Sequence, residues 1–312
     1  MKMHIGEWMV RPEYLYQPGK LMRRVFGGKG DREGERIVEL PWKISMEADS
    51  SEAIGRNLAH HGIFELPVVE AIFRLVDHGD TVLDVGANIG YMTAVALSAG
   101  AGRVISFEPH PLLFARLSRN VERWNREPRF AGRVNARNQA IDSRQGRSML
   151  FIPREGFAAN QGIATLEANS GPAACDKLEV ACTTLDAAIE EHGGPVGLLK
   201  IDIEGHELHA FRGAIQALRD GKIRDIVYES FAAANSDVAE LLAGFGYSIF
   251  RLRRSFSGPL LCAAGSAGSP SCGDHNLLAT LDPDRVRERI SPRGYKCLSR
   301  QARQGAETRP EA

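Results

Sequence analysis

The sequence predicts an α/β protein built on a mostly parallel, doubly wound β-sheet. Two observations predict this fold class. Short apolar runs rich in β-branched residues alternate with segments whose apolar residues recur at helical spacing, and a glycine-containing turn joins the first such run to the next segment. Strands that alternate with helices need crossover connections, which make the strands parallel and cover both sheet faces. The 312 residues suit one such domain with extensions at its ends.

The first regular elements are predicted to be two helices and a buried strand. Apolar residues recur at helical spacing over residues 53–77, and the pattern breaks near Gly62, which indicates two helices joined at that glycine. A cluster of turn residues follows at 77–80. The run Thr81–Val85 is short, apolar and β-branched, so we expect it to form a buried strand.

The same alternation continues along the chain. The predicted helices cover residues 91–97, 112–124 and 207–218, and the predicted strands cover residues 104–107, 134–141, 198–203 and 226–229. Apolar residues around 245–252 and 276–281 end the pattern. The small, Gly- and Ser-rich stretch 263–271 is typical of an exposed loop.

Composition argues against several classes of protein. Lys plus Arg number 39 and Asp plus Glu number 39, so there is no excess of positive charge of the kind that nucleic acid demands. The five cysteines are odd in number and lack a C-x-x-C pair, which favours reduced thiols over disulfides or a zinc site. No apolar stretch approaches the roughly 20 residues that span a bilayer. We therefore expect a soluble, cytoplasmic protein without a nucleic-acid partner.

The turn after the first strand has the composition of a nucleotide site. Gly86 lets the chain turn tightly, Gly90 lets a ligand approach the backbone, and the following helix presents free N–H groups. Glu108 ends the next strand, where a carboxylate is positioned to accept ribose hydroxyls. A turn without a ligand is the simpler interpretation, but the strand, the glycines and the two acids together oppose it. The turn comprises Asp84, Val85, Gly86, Ala87, Asn88, Ile89 and Gly90.

The details of this turn separate two cofactor classes. A dinucleotide site favours G-x-G-x-x-G, whose middle glycine makes room for pyrophosphate, whereas here Asn88 lies between two glycines spaced four apart. Asp84 at the strand end would repel a diphosphate but suits the ammonium group of a methionine moiety. The sequence therefore predicts S-adenosyl-L-methionine as the cofactor, in preference to NAD.

A second group of ionisable residues follows a later strand, in the segment Lys200–Glu207. Because ligands of open α/β sheets bind at the carboxyl ends of strands, we expect Asp202, Glu204 and His206 to face the same crevice as the glycine turn. A hydroxyl is a weak nucleophile, so methyl transfer to it needs a base. The candidate catalytic residues are Asp202, Glu204, His206 and Glu229.

Simpler interpretations exist for this segment. Lys200 equally fits an ion pair with a neighbouring carboxylate, and Glu207 fits the start of a helix, where negative charge is favourable. His206 equally fits an exposed turn. His206 and His209 are three apart, one residue short of the H-E-x-x-H zinc motif, so we predict no metal site.

The motifs resemble the FkbM-type methyltransferase family. The resemblance covers about residues 54–281 and implies a Rossmann-like class I methyltransferase sheet with a final antiparallel strand. It maps Asp84, Gly86, Asn88, Gly90 and Glu108 onto the cofactor-binding motif and places Gln139 and Ala140 at the adenine. The predicted cofactor site further includes Glu65, Ala87 and Asp202. The matching segments are 62–65, 84–91, 107–109, 118–121, 139–141, 184–186, 200–207 and 228–229.

The resemblance implies O-methylation of a hydroxyl on a sugar, glycolipid or secondary metabolite, so the expected partner is a small-molecule or glycan acceptor. The alternatives are an N-methyltransferase, a non-catalytic adenosylmethionine-binding module and, last, an NAD dehydrogenase. We expect residues 53–285 to form the methyltransferase domain, residues 1–52 an N-terminal extension or lid, and residues 286–312 a polar, basic and partly disordered tail. The aromatic residues Trp8, Tyr14, Tyr16 and Trp42 either line an acceptor site or pack against the domain.

Overall fold

The computed structural model describes residues 34–167, 175–230, 236–263 and 275–299, together with residue 302. The strands are β1 (Glu35–Glu39), β2 (Ser45–Asp49), β3 (Thr81–Val85), β4 (Arg103–Phe107), β5 (Val134–Arg137), β6 (Ala140–Ile141), β7 (Gly146–Pro153), β8 (Cys175–Thr183), β9 (Val196–Ile201), β10 (Ile223–Glu229), β11 (Ser248–Ser255), β12 (Gly258–Ala263) and β13 (Asn276–Thr280). The α-helices are α1 (Ala53–His61), α2 (Leu66–Leu75), α3 (Tyr91–Ala99), α4 (Pro111–Asn125), α5 (Leu185–His192), α6 (Glu207–Arg212), α7 (Ile215–Arg219), α8 (Asp237–Gly244) and α9 (Pro283–Ile290).

The main sheet has eight strands in the order β12-β11-β13-β10-β9-β3-β4-β5. Strands β5, β4, β3, β9 and β10 are parallel, and β13 is antiparallel to both of its neighbours, β10 and β11. The predicted fold class, a mostly parallel, doubly wound sheet with a final antiparallel strand, is confirmed. The order of the strands reverses between β3 and β9, and such a switch point opens a crevice at the carboxyl ends of the strands.

Local sequence signals placed most of the main-sheet elements. The strand Thr81–Val85 has the predicted bounds, and Gly62 ends α1 in a left-handed conformation with φ of 75°. Two elements were predicted as continuous and are divided. The helix predicted over 207–218 breaks at Gly213, where an added Cβ would lie 2.3 Å from the carbonyl oxygen of Asp142. The strand predicted over 134–141 contributes β5 to the main sheet and β6 to another.

A second sheet, in the order β6-β8-β7, belongs to a segment inserted between β5 and α5, here named the insertion arm (residues 140–183). Strands β7 and β8 were not predicted. Most of their residues are partly or fully exposed, so they lack the clean apolar alternation that reveals a strand. The arm leaves the main sheet at the carboxyl end of β5, the edge strand next to β4.

The hairpin of β1 and β2 lies in the predicted N-terminal extension and packs into the main hydrophobic core. Every second residue is apolar and buried through the turn of the hairpin: Val38, Leu40, Trp42, Ile44, Met46 and Ala48. The ring of Trp42 lies 4.9 Å from that of Phe73 on α2, and its indole N–H donates to the carbonyl of Cys297 at 2.8 Å.

The residues after α9 also pack on the core. The carboxylate of Glu70 accepts backbone N–H groups of Lys296 and Cys297, at 2.7 Å and 2.9 Å. The domain boundaries drawn from the sequence at residues 53 and 285 stay predictions, as both flanking segments contact the core. Residues 1–33, 168–174, 231–235, 264–274 and 300–312 apart from 302 lie outside the described residues, and so do Trp8, Tyr14, Tyr16 and the predicted loop after 263. No helix in the described ranges is long and apolar enough to span a membrane.

The strand ends at the switch point approach one another very closely. Gly86, directly after β3, has φ of 75°, and an added Cβ there would lie 1.9 Å from the carbonyl oxygen of Asp202, directly after β9. Only glycine therefore permits this approach. The contact fixes the spacing of the two strand ends that form the floor of the crevice.

We expect Trp42→Ala to lower the free energy of unfolding by about 3–5 kcal/mol, because the substitution leaves a large cavity and an unpaired Cys297 carbonyl. Chemical denaturation of the full chain measures this. Phe256→Ala is the control, since Phe256 is 57% exposed and its loss should change the free energy by no more than about 0.5 kcal/mol. Equal effects of the two substitutions would contradict the packing of the hairpin.

We expect Gly86→Ala to destabilise the protein by about 2–4 kcal/mol, since it adds a steric clash to the strain of a positive φ. Gly132→Ala is a matched control, because Gly132 has φ of 73° and no atom within 4 Å of an added Cβ. That control isolates the free-energy cost of placing an alanine at a positive φ, about 1 kcal/mol. Denaturation midpoints of the two variants give the difference, and its absence would rule out the close approach to Asp202.

Candidate active site

A cavity of about 370 Å³ lies at the carboxyl ends of the central strands, within the size range of small-molecule sites. Its floor is formed by residues at the carboxyl ends of β3, β4, β9 and β10, and residues 160–166 of the insertion arm form one wall. The apolar lining includes Phe64, Met92, Leu113, Ile141, Leu150 and Ile163. The carboxyl groups, the lysine and the histidine of the lining belong to Glu65, Glu108, Lys200, Asp202, Glu204, His206 and Glu229. The structure thus brings together most of the residues that the sequence nominated.

Strained backbone is concentrated at this cavity. Among the described residues, four that are not glycine have a positive φ, and three of them line the cavity: Glu65 at 50°, Asn88 at 52° and Glu204 at 55°. Each such residue costs of the order of 1–3 kcal/mol, and strain of this kind accumulates at functional sites. The backbone therefore marks the same place as the sequence motifs.

The carboxylate of Glu108 is buried and held by two backbone donors. It accepts the N–H of Asn88 at 2.8 Å on one oxygen and the N–H of His110 at 2.8 Å on the other. Burial raises the pKa of Glu108 to about 7, although both hydrogen bonds act to lower it. Each oxygen keeps a further lone pair. Glu108 is therefore a fixed acceptor in the cavity wall.

Asp84 lies behind the cavity wall, although the sequence predicted that its carboxylate faces a ligand. Its side chain is 1% exposed and accepts the hydroxyl proton of Thr93 at 2.6 Å. The ammonium group of Lys200 lies 3.9 Å from the Asp84 carboxylate and 3.5 Å from that of Asp202. Burial alone would lower the pKa of Lys200, but these two carboxylates outweigh it and raise that pKa. Asp84 therefore positions Lys200.

Two further sequence-based assignments lie away from the cavity. An added Cβ on Gly90 would meet the side chains of Leu117 and Trp124 at 2.7 Å and 3.0 Å, so this glycine makes room for α4 and is not among the lining residues. Gln139 is half-buried and does not line the cavity. Gly86, Ala87, Asn88 and Ala140 do line it.

The buried side chain of Asn120 links the hairpin to the glycine turn. Its amide donates to the carbonyl oxygens of Ile89 and Glu47, at 2.9 Å and 3.1 Å, and accepts the N–H of Glu47. The turn that carries Asn88 is thereby supported from behind by β2.

Four carboxyl groups of the cavity, those of Glu65, Asp202, Glu204 and Glu229, affect one another. Burial and the neighbouring charge of Asp202 raise the pKa of both Glu65 and Glu229, and Glu229 is also hydrogen-bonded to Asp202. Burial, followed by Asp202 and Glu207, raises the pKa of Glu204 to about 7. Lys200 is the one lysine or arginine among the lining residues. The cavity therefore holds more carboxyl groups than cationic groups, and burial keeps part of these carboxyl groups protonated near neutral pH.

His206 is fully engaged by two carboxylates. Its Nδ1 lies 2.7 Å from Glu167 and its Nε2 lies 3.1 Å from Asp142. Neither ring nitrogen is free to accept a proton from a ligand, so this arrangement does not suit the role of general base that the sequence analysis considered. Both carboxylates belong to the insertion arm. No sequence pattern pointed to them, because their contact with His206 depends on how the arm folds back.

The insertion arm is joined to the cavity by further polar contacts. The hydroxyl of Thr165 donates to the carbonyl of Glu204 at 2.9 Å, and Arg116 on α4 donates to the side chain of Gln161 at 2.7 Å. These bonds hold residues 160–166 over the crevice. This wall was not predicted, since nothing in the sequence of residues 160–166 distinguishes it from an ordinary loop.

One family model and several known proteins are similar to this chain. The family model for the methyltransferase FkbM domain matches residues 84–249. The 31-O-demethyl-FK506 methyltransferase FkbM of Streptomyces tacrolimicus is 33% identical over 198 residues, which cover 55% of this chain and 74% of that protein. The hexuronic acid methyltransferase AglP of Haloferax volcanii is 28% identical over 188 residues, covering 57% and 68%.

Among solved structures, the methyltransferase FkbM from Methylobacillus flagellatus KT aligns with a TM-score of 0.44 and 19% identity. That alignment covers 64% of this chain and 43% of the other. The family match spans more than half of the chain and includes Gly86, Glu108, Asp202, Glu204 and Glu229. Because the matched range is this long and carries the cavity floor, the chain belongs to the FkbM methyltransferase family, as its motifs predicted.

Proposed function

We propose that this protein is an S-adenosyl-L-methionine-dependent methyltransferase that transfers the methyl group to a hydroxyl of a small molecule or glycan. The charge of the cavity is the observation that carries the proposal. Five carboxyl groups line the cavity with one lysine, and that lysine is paired with Asp84 and Asp202. Such a lining attracts a sulfonium and an ammonium group and repels the diphosphate of NAD.

The lining residues also fit the rest of this cofactor. Glu108 would accept the ribose hydroxyls on its remaining lone pairs, and Gly86 and Asn88 line the cavity with it. The apolar surface of Pro109, Ala140 and Ile141 suits an adenine ring. Glu65 and Asp202 would face the cationic methionine end. When bound, the cofactor supplies a methyl group on a positively charged sulfur, which is open to attack by a nucleophile.

Glu204 is the residue best placed to act as the general base. Its carboxylate lines the cavity and, within the described part of the chain, has no hydrogen-bond or ion-pair partner. Its raised pKa lies near neutral pH, where a base is most effective. Glu229 is hydrogen-bonded to Asp202, and both nitrogens of His206 are occupied. Glu204 is therefore the one of these carboxyl groups that is free to accept a proton, whereas the others already share a proton or pair with a cation.

The names of two relatives support an oxygen-bearing acceptor. The name of the Streptomyces tacrolimicus protein specifies a 31-O position of a demethylated FK506, and that of the Haloferax protein specifies a hexuronic acid. A shorter match of 89 residues, 35% identical to an arginine N(omega)-methyltransferase, is the observation that favours N-methylation as the alternative. The proposed acceptor for this chain is oxygen-bearing, and an uncharged polyol suits the acidic lining better than a uronate does.

We expect Glu108→Gln to weaken the binding of S-adenosylhomocysteine by about 10- to 100-fold, because it removes a charged acceptor of the ribose hydroxyls. Isothermal titration calorimetry measures the affinity, and circular dichroism shows whether the variant is folded. Glu190→Gln, at an exposed position on α5, should bind like the wild type. A folded Glu108→Gln variant with unchanged affinity would remove Glu108 from the site.

We expect kcat/KM for methyl transfer to fall tenfold for each pH unit below about 7, because protonated Glu204 cannot accept the hydroxyl proton, and to level off above that pH. Glu204→Gln should lower kcat about 10²- to 10⁴-fold and abolish this acid limb. The assay is transfer of a tritiated methyl group to a panel of methyl glycosides and polyketide alcohols.

The control for that experiment is Glu155→Gln, which changes an exposed glutamate of the insertion arm and should leave the pH profile unaltered. Wild-type activity of the Glu204→Gln variant would contradict the proposal that Glu204 is the general base. Retained activity on amines alone would favour N-methylation, since a neutral amine needs less assistance from a base.

A further inference from the structure

We propose that Asp142, His206 and His209 bind a divalent transition-metal ion, and that Glu167 orients His206 from behind. The site is distinct from the proposed methyl-transfer chemistry and rests on a different set of contacts. The sequence analysis predicted no metal, because the histidine spacing fails the zinc-protease motif. The insertion arm supplies the ligand that the local sequence lacks.

The three side chains already have nearly the separation of metal ligands. One donor atom of each lies within 4.8 Å of the others. The Nε2 of His206 is 3.1 Å from the Oδ1 of Asp142. Two ligands of a tetrahedral zinc ion, each about 2.1 Å from the metal, lie roughly 3.4 Å apart. An ion therefore fits between these two atoms with little movement of the chain.

The carboxylate of Glu167 is placed to orient His206 and does not bind the ion itself. In metal sites, a ligating histidine almost always donates its other N–H to a carboxylate or carbonyl, which fixes the orientation of the ring. The Nδ1 of His206 lies 2.7 Å from Glu167. If Nε2 of His206 binds the metal, its Nδ1–H donates to Glu167. The carboxylate, the histidine and the metal then form a connected series.

The second histidine distinguishes a metal site from a simple pair of hydrogen bonds. The two hydrogen bonds satisfy His206 without any role for His209, whose ring is stacked on it at 4.6 Å with 6° between the planes. The side chain of His209 is 43% exposed, so its ring can turn out of the stack at little cost. Two imidazoles and one carboxylate suit zinc and neighbouring transition metals, and water completes the coordination.

The ligands come from two separate parts of the chain. Asp142 and Glu167 belong to the insertion arm, whereas His206 and His209 belong to the segment that begins α6. Burial keeps Asp142 and His206 at 9% and 6% exposure, and His209 provides the solvent-facing side. A bound ion would therefore fasten the arm to the main sheet beside the cavity, and its expected effect is on stability.

The test uses untagged, full-length protein freed of metal with a chelator. We expect it to bind one zinc ion per chain by calorimetry, to raise its unfolding midpoint by about 5 °C at a hundredfold excess over Kd, and to give visible absorption bands with Co²⁺. His209→Gln and Asp142→Asn should lose all three responses. His78→Gln, which changes an exposed histidine between α2 and β3, should retain them.

Absence of zinc binding by the wild type would overturn the proposal, and so would undiminished binding by folded His209→Gln. His209 lies outside the lining of the cavity, so this variant tests the ion without disturbing the proposed cofactor site. None of these measurements depends on methyl transfer. Failure of the metal site therefore leaves the proposed function untouched, and failure of cofactor binding leaves the metal site untouched.

Discussion

The buried ammonium group of Lys200 holds together the two strand ends from which the cavity is built. It lies between the carboxylates of Asp84 and Asp202 and donates to the carbonyl of Gly86 at 3.3 Å. A buried charge without partners costs several kcal/mol, so each of these groups depends on the others. Gly86 permits this arrangement because no side chain separates it from the Asp202 carbonyl. The switch point of the sheet is thus fixed by one cation and one glycine.

The acidity of the cavity follows from the same arrangement. Lys200 neutralises Asp84 and is shared with Asp202, and no second lysine or arginine lines the cavity within the described residues. Burial, followed by the charge of Asp202, raises the pKa of Glu65, Glu204 and Glu229. Two of these residues, Glu65 and Glu204, also have strained backbone. The protein maintains a costly concentration of carboxyl groups, as expected where a cation is to be bound.

The parts of the site that depend on local chemistry could be predicted from the sequence. Strand propensity and turn geometry alone predict the strand Thr81–Val85, the glycine turn after it and the carboxylate of Glu108. The direction of the Asp84 side chain could not be predicted, because it depends on contacts with Lys200 and Thr93, which lie on other elements. The cavity wall at residues 160–166 and the contacts of His206 with Asp142 and Glu167 depend on how the insertion arm folds back. The hairpin of β1 and β2 is different, since the alternation of apolar residues from Val38 to Ala48 is visible in the sequence.

The most direct test of the central claim compares the binding of S-adenosyl-L-methionine and NAD to the wild-type protein by isothermal titration calorimetry at low and moderate salt. An acidic cavity with one paired lysine predicts stoichiometric binding of the cationic cofactor, weakened by salt, and no binding of the dinucleotide. Binding of NAD without binding of S-adenosyl-L-methionine would contradict the account, since it would require the carboxyl groups of this cavity to accept a diphosphate.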